Sequence, residues 1–550
     1  MVSLIEVQIV QKRSISLFSA TMLALSSLIG SGWLFGSSEA ASVAGPAAVI
    51  SWVIGAVVIG IVAFNYIELG VMLPESGGMS RYPQYSHGPL VGFIASWANW
   101  LSLVALIPIE AVAAVQYMST WPWAWANWTN DFMKNGQIVG KGLIVVFLFM
   151  VVFTLLNFWS VSVLTRFTNL ISVFKIAIPL LTIILLMSSG FYVENFGHNL
   201  AEFMPNGSSP VFEATTVSGI ILSYNAFQTV INIGGEIKDP QKNIFRAITI
   251  SLTIATVIYI MLQVAYIGAI TPTQLAAHGW SGLKFASPFA DIAILLGIHW
   301  LAVLLYLDAF VSPFGTGVSF AATSGRTLAA MTLNRRIPKW LGEVDSTYGN
   351  PRFAYLANFA VGALLVLVFR DWSLLASVMA TATLIAYATG PVTVMAFRKL
   401  RPNYTRPVHS KLMPVIAPLT FVIAGLAIYW AMWPTTVQVI FAILLGLPIY
   451  MYYDRKNGQI SWKRQLKSGG WLLVYLAFLS VMSYVGSKGF NGQDWIKYPY
   501  DFLIIIVVSL AFYYWGLASR MPDSPDLKAA DKLNKSVRQS VRTMRLAPYK

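Results

Sequence analysis

Cysteine is missing from all 550 residues, which excludes disulfides, thiolate metal sites and cysteine nucleophiles in one step. Charge is scarce as well. Only 11% of residues are Asp, Glu, Lys or Arg, against 57% that are apolar, and that balance places the chain among membrane proteins before any motif is read. The five histidines, His87, His198, His278, His299 and His409, show no metal-ligand spacing, and neither a phosphate loop nor a nucleophile motif is found. These absences argue against an enzyme and against a bound metal or cofactor.

What is present is apolar sequence in runs of about 20 residues, the length that crosses a roughly 30 Å hydrocarbon core at about 1.5 Å per residue. Fourteen candidate spans are read at 16–43, 47–73, 90–118, 141–159, 166–189, 213–235, 246–270, 290–330, 353–369, 373–397, 413–433, 435–453, 470–487 and 500–518. The expectation is an all-α integral membrane protein with one integral domain. The stretch 290–330 is too long for one straight span, so Pro288 to Gly297 is expected as an external interfacial helix. The first apolar segment is too long and too interrupted for a cleavable signal, so insertion through the chain's own helices is expected.

Lys and Arg fix the sidedness. With the N-terminus inside, 30 of the 37 fall on one face, 6 on the other, and Lys175 lies inside a span. Both termini are therefore expected in the cytoplasm, in a multi-pass plasma-membrane protein. The net charge of +15 needs no nucleic acid to explain it, being this bias plus a basic tail, Lys528 to Lys550, beside an anionic leaflet. That tail reads as a solvated, partly disordered end. Trp121-Pro-Trp-Ala-Trp-Ala-Asn-Trp128 reads as an aromatic belt at the headgroups.

Two spans break in their own middle. Span one carries Gly30-Ser31-Gly32 at a depth where a membrane helix should be continuous, and span six carries the polar and aromatic cluster Ser223-Tyr224-Asn225-Ala226-Phe227. In hydrocarbon an unwound turn survives only where it lines a cavity or binds something, and glycine permits the turn. The two spans cross in opposite directions, the pattern of a secondary transporter with a midplane site.

At this point the residues resemble a known family. Ile29-Gly-Ser-Gly-Trp-Leu-Phe35, Ala44-Gly-Pro-Ala-Ala48, Tyr66-Ile-Glu-Leu69 with Pro74-Glu-Ser-Gly-Gly78, Gly235-Glu-Ile-Lys-Asp-Pro-Gln-Lys-Asn243 with Arg246-Ala-Ile248, and Asp308 to Arg326 resemble the amino acid–polyamine–organocation superfamily. Within it the chain looks most like the aspartate/glutamate:proton symporters. The resemblance implies a five-plus-five inverted-repeat fold with discontinuous helices 1 and 6. On that pattern residues 1–400 are the transporter core, 401–520 hold peripheral spans 11–14, and 521–550 form the basic cytoplasmic tail. Phe245 departs from the pattern, standing where the family usually has proline, and Glu39 places a charge where relatives are usually uncharged.

An amino acid brings a carboxylate and an ammonium into a nearly dry place, and each must be paired. Freed N–H groups at Gly30, Ser31 and Gly32, at the start of the outer half-helix, suit the carboxylate. Free carbonyls of Ser26, Ser27, Ile29, Ser223 and Tyr224 suit the ammonium, Asn225 belongs to the same polar cluster, and Tyr224 and Phe227 suit the role of lids. Lys175, several residues into span five, has two readings: a lysine snorkelling to the inner interface, or a proton-coupling group, since desolvation penalises its charged form. By resemblance, proton-coupled relatives place a lysine here, with the Gly30 region and Ser312 or Thr316 of span eight as neighbours. Glu68 and Glu236 are expected to pair with Arg246 or Arg326, while the roles of Glu110 and Asp308 stay open.

The function expected is proton-coupled symport of an L-amino acid, an acidic one such as aspartate or glutamate by resemblance. The partners are the substrate, protons and the bilayer. The alternatives are an exchanger of an amino acid for its metabolite and a sensor that binds without flux.

Overall fold

The computed structural model describes residues 14–546 apart from 76, 159–160, 226, 284, 346–348 and 459, with only the backbone of 161–173 and 540–546. Lys12, Arg13, Lys284 and Lys550 of the charge count, and Ala226 of the span-six cluster, lie outside the described residues.

A helix closes its backbone hydrogen bonds within one segment, so apolar runs with no water to bond must coil. Span one is split into α1 (Leu17–Leu28) and α2 (Gly32–Ala44), and α3 (Ala48–Met72) follows. A short helix on the basic face, α4 (Gly78–His87), leads into α5 (Pro89–Met118), α6 (Lys141–Leu156) and α7 (Val161–Ser189). After the single turn α8 (Leu200–Phe203), span six comes in three pieces, α9 (Ser209–Val217), α10 (Ile220–Tyr224) and α11 (Phe227–Asn232). Next are α12 (Pro240–Ala269), the short α13 (Pro272–Gly282) and α14 (Pro288–Leu295), the long α15 (His299–Met331), α16 (Arg352–Val368) and α17 (Trp372–Leu400). The last are α18 (Met413–Tyr429), α19 (Thr435–Leu444), α20 (Leu447–Asn457), α21 (Trp462–Val485), α22 (Tyr500–Ala518) and α23 (Leu527–Leu546).

Among the described residues every one of the fourteen expected segments holds helix, and eight helical stretches are long and apolar enough to cross a membrane by length and composition. The long eighth segment divides where expected: Gly297 turns at φ +74 between α14 and α15. Phe245 adds no break, since it lies inside α12.

Two helices form the centre. The most apolar stretches of α5 and α17 are 94% buried, while those of α19–α20 and of α22 are only 33% buried and leave most of their surface for lipid. Hydropathy alone would not rank them so, because α17 is the less apolar of the two and far less apolar than Gly32–Met72. Its inner surface is built of small and hydroxylated residues such as Ala376, Ser377, Ala380, Thr381 and Gly390, which let helices approach closely. A Cβ at Gly390 would lie 2.4 Å from the Tyr66 ring of α3.

Two expectations for the basic face are corrected. Glu68 pairs with neither Arg246 nor Arg326: Arg398, at the end of α17, donates to it at 2.8 and 2.5 Å, with Arg406 3.7 Å away. The reason is packing, since the end of α17 lies beside the end of α3. The tail is no solvated end over its described residues. It forms α23, which buries Leu527, Ala530, Asn534 and Val537 and is tied by Asp531 to Arg401 at 2.9 Å. The Asn534 side chain donates to Met72 O and Thr405 O and accepts from Thr405 N, at 3.2, 3.0 and 2.9 Å. Asn534→Ala leaves three backbone groups, one buried and two partly buried, short of a partner. We expect a loss of about 1–3 kcal/mol, read as a lower Tm of the purified protein.

Candidate functional site

The chain leaves the helix at Ile29 (φ −87, ψ 80) and re-enters it at Gly32. The Gly30 N–H, expected to be free, turns back onto Leu28 O at 3.1 Å, and four other backbone groups at the break find partners on other helices. Ser26 O accepts from the Lys175 ammonium of α7 at 3.0 Å. Leu28 O accepts from the Tyr259 hydroxyl of α12 at 2.8 Å, and Ile29 O from Ser312 of α15 at 3.4 Å. Ser31 N–H donates to the Glu110 carboxylate of α5, at 3.0 Å to Oε2 and 3.3 Å to Oε1. The break is therefore a junction of four helices.

Lys175 is 1% exposed, and besides Ser26 O it bonds the Thr316 hydroxyl. The snorkelling reading falls, because the ammonium is bound inside the bundle and links α7 to α1 and α15. Ser312, named beside Thr316 as a neighbour of this lysine, reaches Ile29 O instead and accepts from Thr316 at its own carbonyl, 2.9 Å away. Lys175 also interacts electrostatically with the carboxylates of Glu110 and Asp308.

Span six is interrupted twice. The first interruption, at Ser218–Gly219, was not read from the cluster at Ser223–Phe227; Gly219 adopts φ +78, a conformation that side chains disfavour. A Cβ there would also stand 2.4 Å from Trp372. The second interruption falls at Asn225, whose side chain is held by α17: it donates to Thr383 at 3.4 Å and accepts from the Tyr387 hydroxyl. Ser223 Oγ donates to Gly219 O at 2.9 Å and faces Gly32.

Between the two broken spans lies a cavity lined by Ser27, Leu28, Gly30, Gly32, Leu106, Glu110, Leu222, Ser223, Asn225 and Phe320. Its volume is about 10 Å³, room for about one water, so the walls must part before an amino acid fits. Tyr224 and Phe227, expected as lids, are not among its walls. The Tyr224 ring packs on Trp52 and Tyr259, and Phe227 on Tyr66 and Tyr387. The aromatic over the break is Trp372, whose indole N–H donates to Ser31 Oγ at 3.0 Å and whose ring lies 4.9 Å from Phe35. Asp371 sets its position by capping α17, accepting from Ser373 N and Leu374 N at 2.8 and 3.1 Å.

A second cavity of about 370 Å³ opens on the basic face, where Arg81, Asn232, Glu236, Thr323 and Arg326 are among its walls. Glu236 thus faces a cavity that Arg326 shares. Glu39 is partly exposed in the C-terminal half of α2. Among the described residues no group of three or more His, Asp or Glu could hold a metal.

Apolar helices broken at midplane around buried charges, with a cavity reaching one face, define a membrane transporter. The family model described as "Amino acid permease" matches residues 15–452, and the chain belongs to that family. Similar curated proteins of Bacillus subtilis (strain 168) include the glutamate/serine transporter AimA, 49% identical over 95% of this chain and 96% of its own length. The aspartate-proton symporter is 34% identical over 93% and 97%, and the branched-chain amino acid permease BcaP is 25% identical over 82% and 95%.

Proposed function

We propose that the protein is a proton-coupled importer of α-amino acids, with an acidic amino acid or serine as cargo, and that it sits in the plasma membrane with both termini and the basic face in the cytoplasm. The observation that carries it is the Lys175 ammonium, buried and bonded to Ser26 O and Thr316, where loss of one proton would untie α1 from α7 and α15. The names of the two more similar relatives above support the cargo, and the Lys/Arg bias supports the sidedness. Residues 1–400 form the two inverted repeats and 401–520 the peripheral spans, in keeping with the lipid-facing surface left on α19–α20 and α22.

Ser27, Ile29, Gly30, Ser31, Gly32, Ser223 and Asn225 make the substrate site in this reading, and Lys175 and Thr316 the coupling site. Ser312 holds the break, and Tyr224 and Phe227 brace span six. Glu110 supplies the link between cargo and proton. Its carboxylate already occupies the anion position at Ser31 N–H, the start of α2, so a substrate carboxylate must displace it. Two carboxylates crowded there would repel, and one of them gains stability by taking a proton. Cargo binding therefore draws a proton in.

The test is uptake of labelled L-glutamate, L-aspartate and L-serine into proteoliposomes. Accumulation should follow an inward proton gradient without sodium. The corresponding amides and decarboxylated amines should compete at least tenfold more weakly than the cargo, since they cannot replace Glu110 at Ser31. A strict sodium requirement, or equal competition by the amine, would overturn the reading. Uptake that demands internal amino acid would identify an exchanger, and binding without flux a sensor.

A further inference from the structure

We propose that Asp308 is a second proton-binding site, lying outward of Lys175 and loading it from the outer face. The proposal rests on the proton-coupled reading above and adds the group through which the proton arrives. Asp308 is fully buried in α15, and neither carboxylate oxygen has a hydrogen-bond partner. The other buried aspartates among the described residues are satisfied: Asp454 by Arg336 and Gln465, Asp501 by the Tyr429 hydroxyl. A bare carboxylate at this depth is too costly to keep its charge. It must hold a proton or another cation.

Its place on α15 says where that proton goes. Asp308, Ser312 and Thr316 follow at i, i+4 and i+8 and so share one face of the helix. Ser312 bonds Ile29 O at the break, and Thr316 bonds Lys175, which puts Asp308 on the same stripe about 12 Å outward of Thr316 along the axis. The titratable groups facing it are Lys175 from α7 and Tyr117 from α5. From α2 the Trp33 indole comes near it, but its N–H completes no hydrogen bond to either oxygen. One neutral donor cannot cancel a buried charge.

Tyr117 faces Asp291 of α14 as well as Asp308. Asp291 is partly exposed on the outer side, where burial pushes its carboxyl up to about 6, a value at which it trades protons with a near-neutral medium. The step itself balances. The Asp308 carboxyl loses a proton, which is relayed along the stripe past Ser312, and the neutral Lys175 amine gains it, leaving a carboxylate and an ammonium that attract each other.

The experiment measures proton and substrate influx together in proteoliposomes containing a pH dye. The substrate is whichever of L-glutamate, L-aspartate or L-serine the wild type takes up. In Asp308→Asn the ratio of proton to substrate influx should fall at least tenfold, and Asp308→Glu should restore it. An aspartate that only supports the fold would lower both fluxes together and keep the wild-type ratio, which overturns the proposal. So does an unchanged pH profile in the variant. If Asp308→Asn does not fold, a hydrophobic carbodiimide on the wild type gives the answer, because it labels buried protonated carboxyls. Labelling at Asp308 that fades as the outer pH rises supports the site, and no labelling at any pH overturns it. Should the wild type itself show no proton influx, the transport reading fails before Asp308 is tested.

Discussion

Lys175→Ala is expected to lose proton-driven accumulation altogether. Its ammonium ties α1 to α7 and α15 through Ser26 O and Thr316, and it is the cation that faces the buried Glu110 carboxylate. Removing one member of a buried charge pair leaves the other uncompensated, at a cost of about 3–5 kcal/mol. Since about 1.4 kcal/mol is a factor of ten, the shift in conformational populations is on the order of a hundredfold or more. Lys175→Arg keeps the charge but cannot release its proton, so it should bind cargo and stall. The measurement is the accumulation ratio in proteoliposomes with and without a pH gradient, beside the thermal shift given by cargo. A Lys175→Ala protein that still concentrates substrate with the gradient would return this lysine to a structural role.

The second large effect is expected at Gly32. A Cβ there would stand 2.3 Å from Ser223 Oγ and 3.3 Å from Ser223 Cβ, so even alanine requires the Ser223 hydroxyl or α2 itself to shift. Overpacking of this kind costs about 1–3 kcal/mol, and it falls where the cavity between the broken spans must open and close. Gly32→Ala should cut uptake at least tenfold in a protein that still purifies as a folded monodisperse species. The double variant Gly32→Ala/Ser223→Ala should recover much of it, because with the hydroxyl gone the nearest contact is Ser223 Cβ at 3.3 Å. Leucine at Gly32 or Gly30 should abolish binding, the latter because its side chain runs into Glu110, whose Oε1 lies 2.6 Å from the Cβ position. Wild-type uptake by Gly32→Ala, or no recovery in the double variant, would show that the two half-helices are not pressed together here during transport.

The local features were legible along the chain. Helix in each of the fourteen segments, the separation of Pro288–Leu295 from the long eighth span, the break at Gly30-Ser31-Gly32 and the depth of Lys175 all depend on residues close together in sequence. Hydropathy, glycine and charge act within a turn or two, so they can be read one segment at a time.

The partners could not be read that way. Glu110 meets Ser31 across 79 residues, Trp372 meets Ser31 across 341, and Arg398 meets Glu68 across 330. Which carboxylate fills the freed N–H, which aromatic covers the break and which arginine closes the basic face depend on how helices pack side by side. Hydropathy says little about that in a membrane, where lipid-facing and protein-facing surfaces are both apolar. The docking of α23 escaped for a related reason: a charged amphipathic tail looks alike whether solvated or packed, and only the groove beside Met72 and Thr405 decides between them. By itself the sequence determined a bundle of apolar helices, its charge asymmetry and a midplane break with a lysine near it. Only the tertiary structure decided that a buried glutamate holds the anion position at that break, because the contact exists only once α5 and span one are packed together.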